Sequence, residues 1–286
     1  MDNVLVILNF NAGRKKAVMY KKSLTKLLLQ KSKKFKFISV DEFNEIDISE
    51  FDTIVAIGGD GTVNKIASRI INTDKSLICL PSGTANLLAA NLGVSSNFEK
   101  NLKNITKCKT KYIDVMLVNG NVSVLRCGFG YDSDIICKTP QSLKNRFGYF
   151  AYFIAGIIFA LRLTKKTYKA SFDGVFKEFE ATGLIVANAS NMYRNVITLA
   201  DNSFVDDGYM DIFILKTENP FVYFIEFCLI VLGIRRISKR AEYFKCRKLH
   251  IQNNWSVCHI DGEKHILKND IDIEIKPQRL KVYSFT

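Results

Sequence analysis

The chain has 286 residues, 48% of them hydrophobic and 24% charged. That composition argues against disordered and low-complexity classes and allows one large or two ordinary domains. A formal net charge of +13 points to an anionic partner (nucleotide, nucleic acid or acidic membrane) without choosing among them, the alternative being a lysine-rich, solvated surface with no partner. Seven cysteines, at 79, 108, 127, 137, 228, 246 and 258, are odd in number and include no Cys-x-x-Cys. They argue against a disulfide framework or zinc knot and point to reduced thiols in a cytosolic compartment.

Met1-Asp2-Asn3 and the short run Val4–Leu8 are too acidic and too short for a secretory signal; Asn3–Leu8 reads as a first strand. A helix over Lys15–Gln30, a strand over Phe35–Val40 and a strand over Thr53–Ile57 follow. Next come a helix over Val63–Ile71, a strand over Leu77–Leu80, and helices near Ala85–Leu92 and Phe98–Ile105. Strands alternating with helices of this length imply βαβ units and a parallel sheet covered on both faces.

After Lys111 the pattern changes. Tyr112–Val118 and Val122–Cys127 flank Asn119-Gly120-Asn121, and Tyr168–Phe172 and Val175–Phe179 flank Asp173-Gly174; both are hairpin signals. Leu184–Asn188, Met210–Lys216, Tyr243–Ile251, Ser256–Ile260, Ile271–Ile275 and Leu280–Phe285 read as further strands, interrupted only by helices over Leu143–Leu163 and Pro220–Ile234. This is antiparallel architecture of the sandwich type. The fold class is therefore an N-terminal Rossmann-like parallel α/β domain, 1–111, and a C-terminal antiparallel β-sandwich domain, 112–279. The apolar stretches Phe147–Leu161 and Phe221–Ile234 fall short of the ~20 residues a bilayer span needs, and read as buried or interfacial helices.

Three turns follow strands of the first sheet. Gly58-Gly59-Asp60-Gly61-Thr62, leading into Val63 and Asn64, lies between a strand and a helix that starts at Thr62 or Val63. Its glycines let backbone N–H groups approach a ligand, and the helix adds its positive end, so the turn suits an anion such as phosphate. Its order matches neither the P-loop nor the Rossmann fingerprint. Asn9-Phe10-Asn11-Ala12-Gly13 follows the first strand, and Pro81-Ser82-Gly83-Thr84-Ala85-Asn86 the fourth. Ligands of open parallel sheets bind beyond the carboxyl ends of the strands, where all three turns lie. Taken singly, Asn9–Gly13 is equally an ordinary loop and Thr84 a helix cap.

The second domain offers two acidic turns, Phe204-Val205-Asp206-Asp207-Gly208-Tyr209-Met210-Asp211 and Ile260-Asp261-Gly262-Glu263. Asp-Gly is common hairpin chemistry, yet carboxylates also serve phosphoryl transfer, as Mg²⁺ ligands and proton acceptors. His259 and His265, near Cys258, match no standard zinc spacing and read as surface or strand histidines.

With Asn9–Gly13 (Phe10 in place of the usual proline), Gly58–Thr62, Pro81–Asn86, Asp207-Gly208, Asp261-Gly262-Glu263 and the helix motif Arg146–Tyr152, the chain resembles the diacylglycerol kinase catalytic-domain family. The bacterial soluble lipid kinases are the most similar branch, and the family includes relatives of sphingosine and ceramide kinases. The resemblance implies an active site in a cleft between a nucleotide-binding domain and a sandwich domain, with the last strand, 280–286, returning to the first domain. It implies ATP held by Gly58, Gly59, Asp60, Gly61, Thr62, Val63, Asn64, Gly83 and Thr84, with Asn9, Asn11, Ala12 and Gly13 beside the phosphates and Ser39 or Val40 facing the nucleotide. Glu263 is implied as the proton acceptor, assisted by Asp261, with Asp60 acting through the metal–phosphate network. Phe204 and Tyr209, through their carbonyls, and the Asp207 carboxylate would hold a Mg²⁺.

The implied reaction moves the γ-phosphoryl group of ATP to a lipid hydroxyl, most simply that of diacylglycerol, giving phosphatidic acid. Phosphatidylglycerol or a sphingoid base are alternative acceptors. A cytoplasmic, peripherally membrane-associated enzyme is expected, Phe221–Ile234 and the basic run Arg235–Arg240 meeting an anionic membrane surface, with a homodimer left open. NAD kinase shares Gly-Gly-Asp-Gly-Thr, but a soluble dinucleotide leaves the apolar helices unexplained. The other rival is a nucleotide-binding regulator without catalysis. Nucleic acid is not expected, because aromatic residues are not interleaved with the basic clusters.

Overall fold

The computed structural model describes residues 3–11, 14–31, 34–140, 142–143, 150–161, 163–188, 191–193, 197–198, 200–232, 234, 241–252, 257–267 and 269–285. The chain divides into two compact units. One comprises Met1–Ile113 with Gln278–Thr286, the other Asp114–Pro277.

In the first unit, β1 (Asn3–Leu8), β2 (Lys34–Ser39), β3 (Thr53–Gly58) and β4 (Ser76–Pro81) lie in the order β2-β1-β3-β4, all parallel. The end of the last strand, Ile271–Ser284, continues this sheet beside β4, with Lys281 opposite Ser76 and Val282 opposite Leu77. Strands β1, β3 and β4 are apolar at nearly every position because helices cover both faces of a parallel sheet. Helix α1 (Arg14–Lys31) covers one face with Ala17, Tyr20, Leu24 and Leu28, whose spacing of three and four residues makes a single stripe. Helix α2 (Asp60–Ile70) buries Val63, Ile66, Ala67 and Ile70. It begins at Asp60, earlier than Thr62 or Val63, so Gly61 and Thr62 belong to its first turn. Phe98–Asn104 is capped by the Asn97 side chain, which accepts the Lys100 N–H at 3.1 Å.

The second unit contains two sheets sharing one core. One runs Glu242–Cys246, Met210–Leu215, Gly183–Ala187, Arg126–Gly130, Cys258–Ile260, Glu263–His265. In the other, Lys248–Gln252 lies between Lys166–Phe172 and the beginning of Ile271–Ser284, and Lys166–Phe172 also pairs with Val175–Ala181. Phe129, Leu184, Ile212 and Ile260 from the first pack with Tyr168, Phe172, Leu249 and Ile273 from the second. Two sheets packed face to face around one core make this a β-sandwich, and the outer face of Gly183–Ala187 and Met210–Leu215 is apolar as well, with Ile185, Ala187, Phe213 and Leu215 packed with Tyr223.

Three departures from the expected elements share one cause. Val122–Cys127 is not one strand: Asn121–Ser123 pairs with Lys109–Val118, and Arg126–Gly130 joins the other sheet. Tyr243–Ile251 likewise splits at Arg247, whose N–H donates to the Asp173 carboxylate at 2.9 Å. Ile271–Ile275 and Leu280–Phe285 instead merge into one strand. It passes between units at Pro277, and Gln278 takes a φ of 53°. In each case bonds to residues distant in sequence decide where a strand breaks or continues. A helix over Tyr131–Lys138 was not expected; part of the expected Leu143–Leu163 helix forms as Phe150–Ala160.

Candidate functional site

The three loops beyond the ends of β1, β3 and β4 are tied together. Asn9 ties the first loop: its Oδ1 accepts the Asn11 N–H at 3.0 Å and its Nδ2 donates to Thr62 Oγ1 at 2.8 Å. The carboxamide thus shapes the first turn and fastens it to α2, and the half-exposed Phe10 ring carries none of these bonds. Gly58 must lack a side chain, since a Cβ there would lie 2.4 Å from Thr62 Oγ1. A Cβ on Gly83 would meet the Gly59 Cα at 2.6 Å, so the second and third loops touch backbone to backbone. Ser82 N–H donates to the Gly58 carbonyl at 3.0 Å, and the Asn86 carboxamide spans the third loop by bonds to Gly83 N–H and C=O.

Thr84 is exposed and does not cap the following helix. Leu87–Asn91 starts instead after Asn86, whose φ is 52°. The Leu88 N–H of that helix donates to Asp60 Oδ1 at 3.3 Å, so a carboxylate sits where a helix's positive end favours it. Asn64 Oδ1 and Ser82 Oγ are buried without a hydrogen-bond partner. Buried polar atoms seldom go unpaired, so orphans on α2 and in the third loop suit a polar ligand such as a nucleotide. The Val40 carbonyl accepts Lys65 Nζ at 3.0 Å. Ala12 and Gly13 lie outside the described residues.

In the second unit, Asp261 and Gly262 take φ of 48° and 89° and close the hairpin between Cys258–Ile260 and Glu263–His265. This is the turn for which Asp-Gly is suited. The Asp261 carboxylate accepts Ser123 Oγ at 2.7 Å and the N–H groups of Val124, Leu125 and Arg126 at 2.7, 3.0 and 2.9 Å. Burial pushes its carboxyl above the ordinary value, and these four donors oppose that shift. Asp261 therefore holds the turn to the strand break at 124–125. Glu263, exposed at the start of the next strand, stands two residues after that anchor.

Beneath this hairpin lies a cluster that the sequence did not disclose. His259 is a strand residue of Cys258–Ile260, one of the two expected placements, but fully buried and not at the surface; its Nε2 lies 2.6 Å from Asp132 Oδ2, and Arg126 Nη1 lies 3.0 Å from Asp132 Oδ1. Burial alone would raise Asp132, but Arg126 and His259 bring its pKa down to about 2. Burial pushes the His259 pKa below its ordinary value. A Cβ on Gly128 would lie 1.9 Å from Asp132 Oδ2 and 2.5 Å from His259 Nε2, so the glycine makes room for the pair. The glycines at 128 and 130 before Asp132 were the available signal. Among the described residues no group of three or more His, Cys, Asp or Glu is placed to hold a metal.

The loop expected to hold Mg²⁺ is arranged differently. Asp207 Oδ2 is 2.6 Å from Lys245 Nζ, and its Oδ1 accepts the Tyr209 N–H at 3.0 Å. Phe204 is exposed, and the Tyr209 ring lies under the Arg247 guanidinium, 4.7 Å from its centroid. A dication on this carboxylate would face an ammonium about 4 Å away, a repulsion of roughly 8 kcal/mol at an effective dielectric constant near 20. The side chains present do not fit the ion.

No helix among the described residues is long and apolar enough to cross a membrane. Pro220–Val231 exposes Phe221, Phe224 and Ile225 at 68%, 42% and 40%. Arg235–Arg240 and most of the Arg146–Tyr152 motif, 146–149, lie outside the described residues.

Residues 3–118 match the diacylglycerol kinase catalytic domain, and residues 126–284 match the YegS C-terminal NAD kinase beta sandwich-like domain. An uncharacterized protein of Synechocystis is 30% identical over 180 residues, 63% of this chain but 42% of that protein, so the match spans less than half of that relative. A diacylglycerol kinase of Bacillus subtilis is 27% identical over 224 residues, 77% of this chain and 73% of that one. The crystal structure of a diacylglycerol kinase from Bacillus anthracis superposes with a TM-score of 0.77 at 23% identity, covering 99% of this chain and 96% of that one, a likeness of fold. With both halves of the chain matched in order, it belongs to the diacylglycerol kinase catalytic-domain family, a family of lipid kinases.

Proposed function

We propose that this chain transfers the γ-phosphoryl group of ATP to the hydroxyl of a membrane lipid, with diacylglycerol the first acceptor to test and phosphatidylglycerol or a sphingoid base the next. The observation carrying this is the knitting of three glycine- and amide-rich loops at the ends of adjacent parallel strands. The start of α2, preceded by Gly58 and Gly59, supplies the cradle for phosphates. Gly58, Gly59, Gly61, Thr62, Val63 and Asn64, with Asn9, Asn11, Ala12 and Gly13 of the first loop and Gly83 and Thr84 of the third, are its nucleotide contacts. Mg²⁺ enters with ATP as part of the substrate, and Asp60 acts on that metal–phosphate group.

In the reaction the lipid oxygen attacks the γ-phosphorus, the bond to the bridging oxygen of ADP breaks, and the hydroxyl proton passes to the Glu263 carboxylate. Asp261 acts by holding the hairpin that presents Glu263. Most of the rate comes from positioning and charge neutralisation. The names of the Bacillus relatives support the choice of diacylglycerol.

Glu263→Gln tests the assignment, since it keeps the shape and removes the base. Lipid phosphorylation should fall at least ~100-fold, the range general-base loss gives, with ATP affinity unchanged in equilibrium binding. Turnover within a few-fold of wild type would remove Glu263 from the role.

A further inference from the structure

Three carboxylates meet the loop of residues 202–211. Asp211 is buried on Met210–Leu215, accepting the Tyr243 hydroxyl at 2.7 Å and the Ser203 hydroxyl. Asp114 Oδ2 accepts the Gly208 N–H at 2.6 Å, and Asp207 accepts the Tyr209 N–H. Three acidic side chains thus converge on one turn whose shape depends on them.

The cation beside them is part of the chain. Lys245 projects from Glu242–Cys246 at the position paired with Asp211. Its Nζ lies 2.6 Å from Asp207 Oδ2 and 4.0 Å from Asp211 Oδ1, and it donates to the Asn202 carbonyl. An ammonium has three donors, and these oxygens give it partners from both ends of the loop. Lys245 is itself about three-quarters buried, so its charge is screened less than that of an exposed lysine.

From this we infer that Lys245 is the resident cation of the 202–211 loop, making the fold of the second unit independent of divalent metal. It differs from the magnesium that accompanies ATP, and it stands whether or not the kinase assignment does. A neutral side chain at 245 would leave Asp207 without its partner and open the loop to a metal ion.

The test is thermal unfolding of the nucleotide-free full chain in EDTA and in millimolar MgCl₂. Wild-type protein should melt at the same temperature in both. Lys245→Met should melt several degrees lower in EDTA and regain part of that loss in MgCl₂ through binding to the folded state. Lys245→Arg, which keeps the positive charge, should remain indifferent to Mg²⁺, and it provides the comparison if the methionine variant does not fold. A wild-type melting temperature raised by Mg²⁺, with the rise abolished by Asp207→Asn, would overturn the inference. So would a Lys245→Met protein that melts like wild type in EDTA.

Discussion

His259, Asp132 and Arg126 show how much single residues are asked to do in the second unit. A fully buried imidazole is tolerated because Asp132 accepts its N–H, and Asp132 is tolerated because Arg126 neutralises it. The pH consequence has a definite sign. His259 titrates lower when folded than unfolded, so unfolding takes up a proton and stability falls as pH drops below ~6.5. Asp132, held at about 2, adds a second loss as pH falls from 3.8 toward that value. Asp211 and Asp261, raised by burial, work the opposite way above 3.8, so His259→Gln is the control that isolates the histidine. Urea midpoints should fall more between pH 7 and pH 5.5 for wild type than for His259→Gln. Equal slopes would show that the imidazole does not titrate against folding.

At the scale of elements, what the sequence disclosed was local. Asn119-Gly120, Asp173-Gly174 and Asp261-Gly262 each take positive φ at both residues and close hairpins, as their side chains dictate. The parallel strands and the loops following them were legible for the same reason: apolar runs ended by glycine and amide residues. Strand breaks were not, because the donors at 124–126 answer to Asp261 and the donor at 247 answers to Asp173, partners far along the chain. Nor was His259's burial, which needs Gly128 and Arg126 of a neighbouring strand. The apolar helix Pro220–Val231 was legible as short of a span, and its exposed Phe221, Phe224 and Ile225 give it a testable role. Vesicles containing an anionic lipid should carry the protein to the top of a flotation gradient at low salt. Phe221→Ser with Phe224→Ser should leave it at the bottom, while added salt should weaken binding of wild type through the basic run beyond the helix. Failure of wild-type protein to float would assign the helix's apolar face to another purpose.

Over the whole molecule, an excess of thirteen positive charges accompanies two units with different chemistries. The first offers a glycine-rich turn and a helix start; the second offers a carboxylate on an anchored hairpin and an apolar helix at its surface. Family membership places both in a lipid kinase. The identity of the acceptor rests on acyl and headgroup contacts, which no motif in the chain encodes. The most direct measurement is incubation of purified protein with γ-labelled ATP, Mg²⁺ and vesicles carrying diacylglycerol, phosphatidylglycerol or a sphingoid base, followed by separation of the lipids. Label should appear in a lipid phosphate, strongest for diacylglycerol as phosphatidic acid, and vanish with Glu263→Gln. Label confined to ATP and free phosphate for every lipid alcohol, or transferred to a soluble dinucleotide instead, would contradict the account.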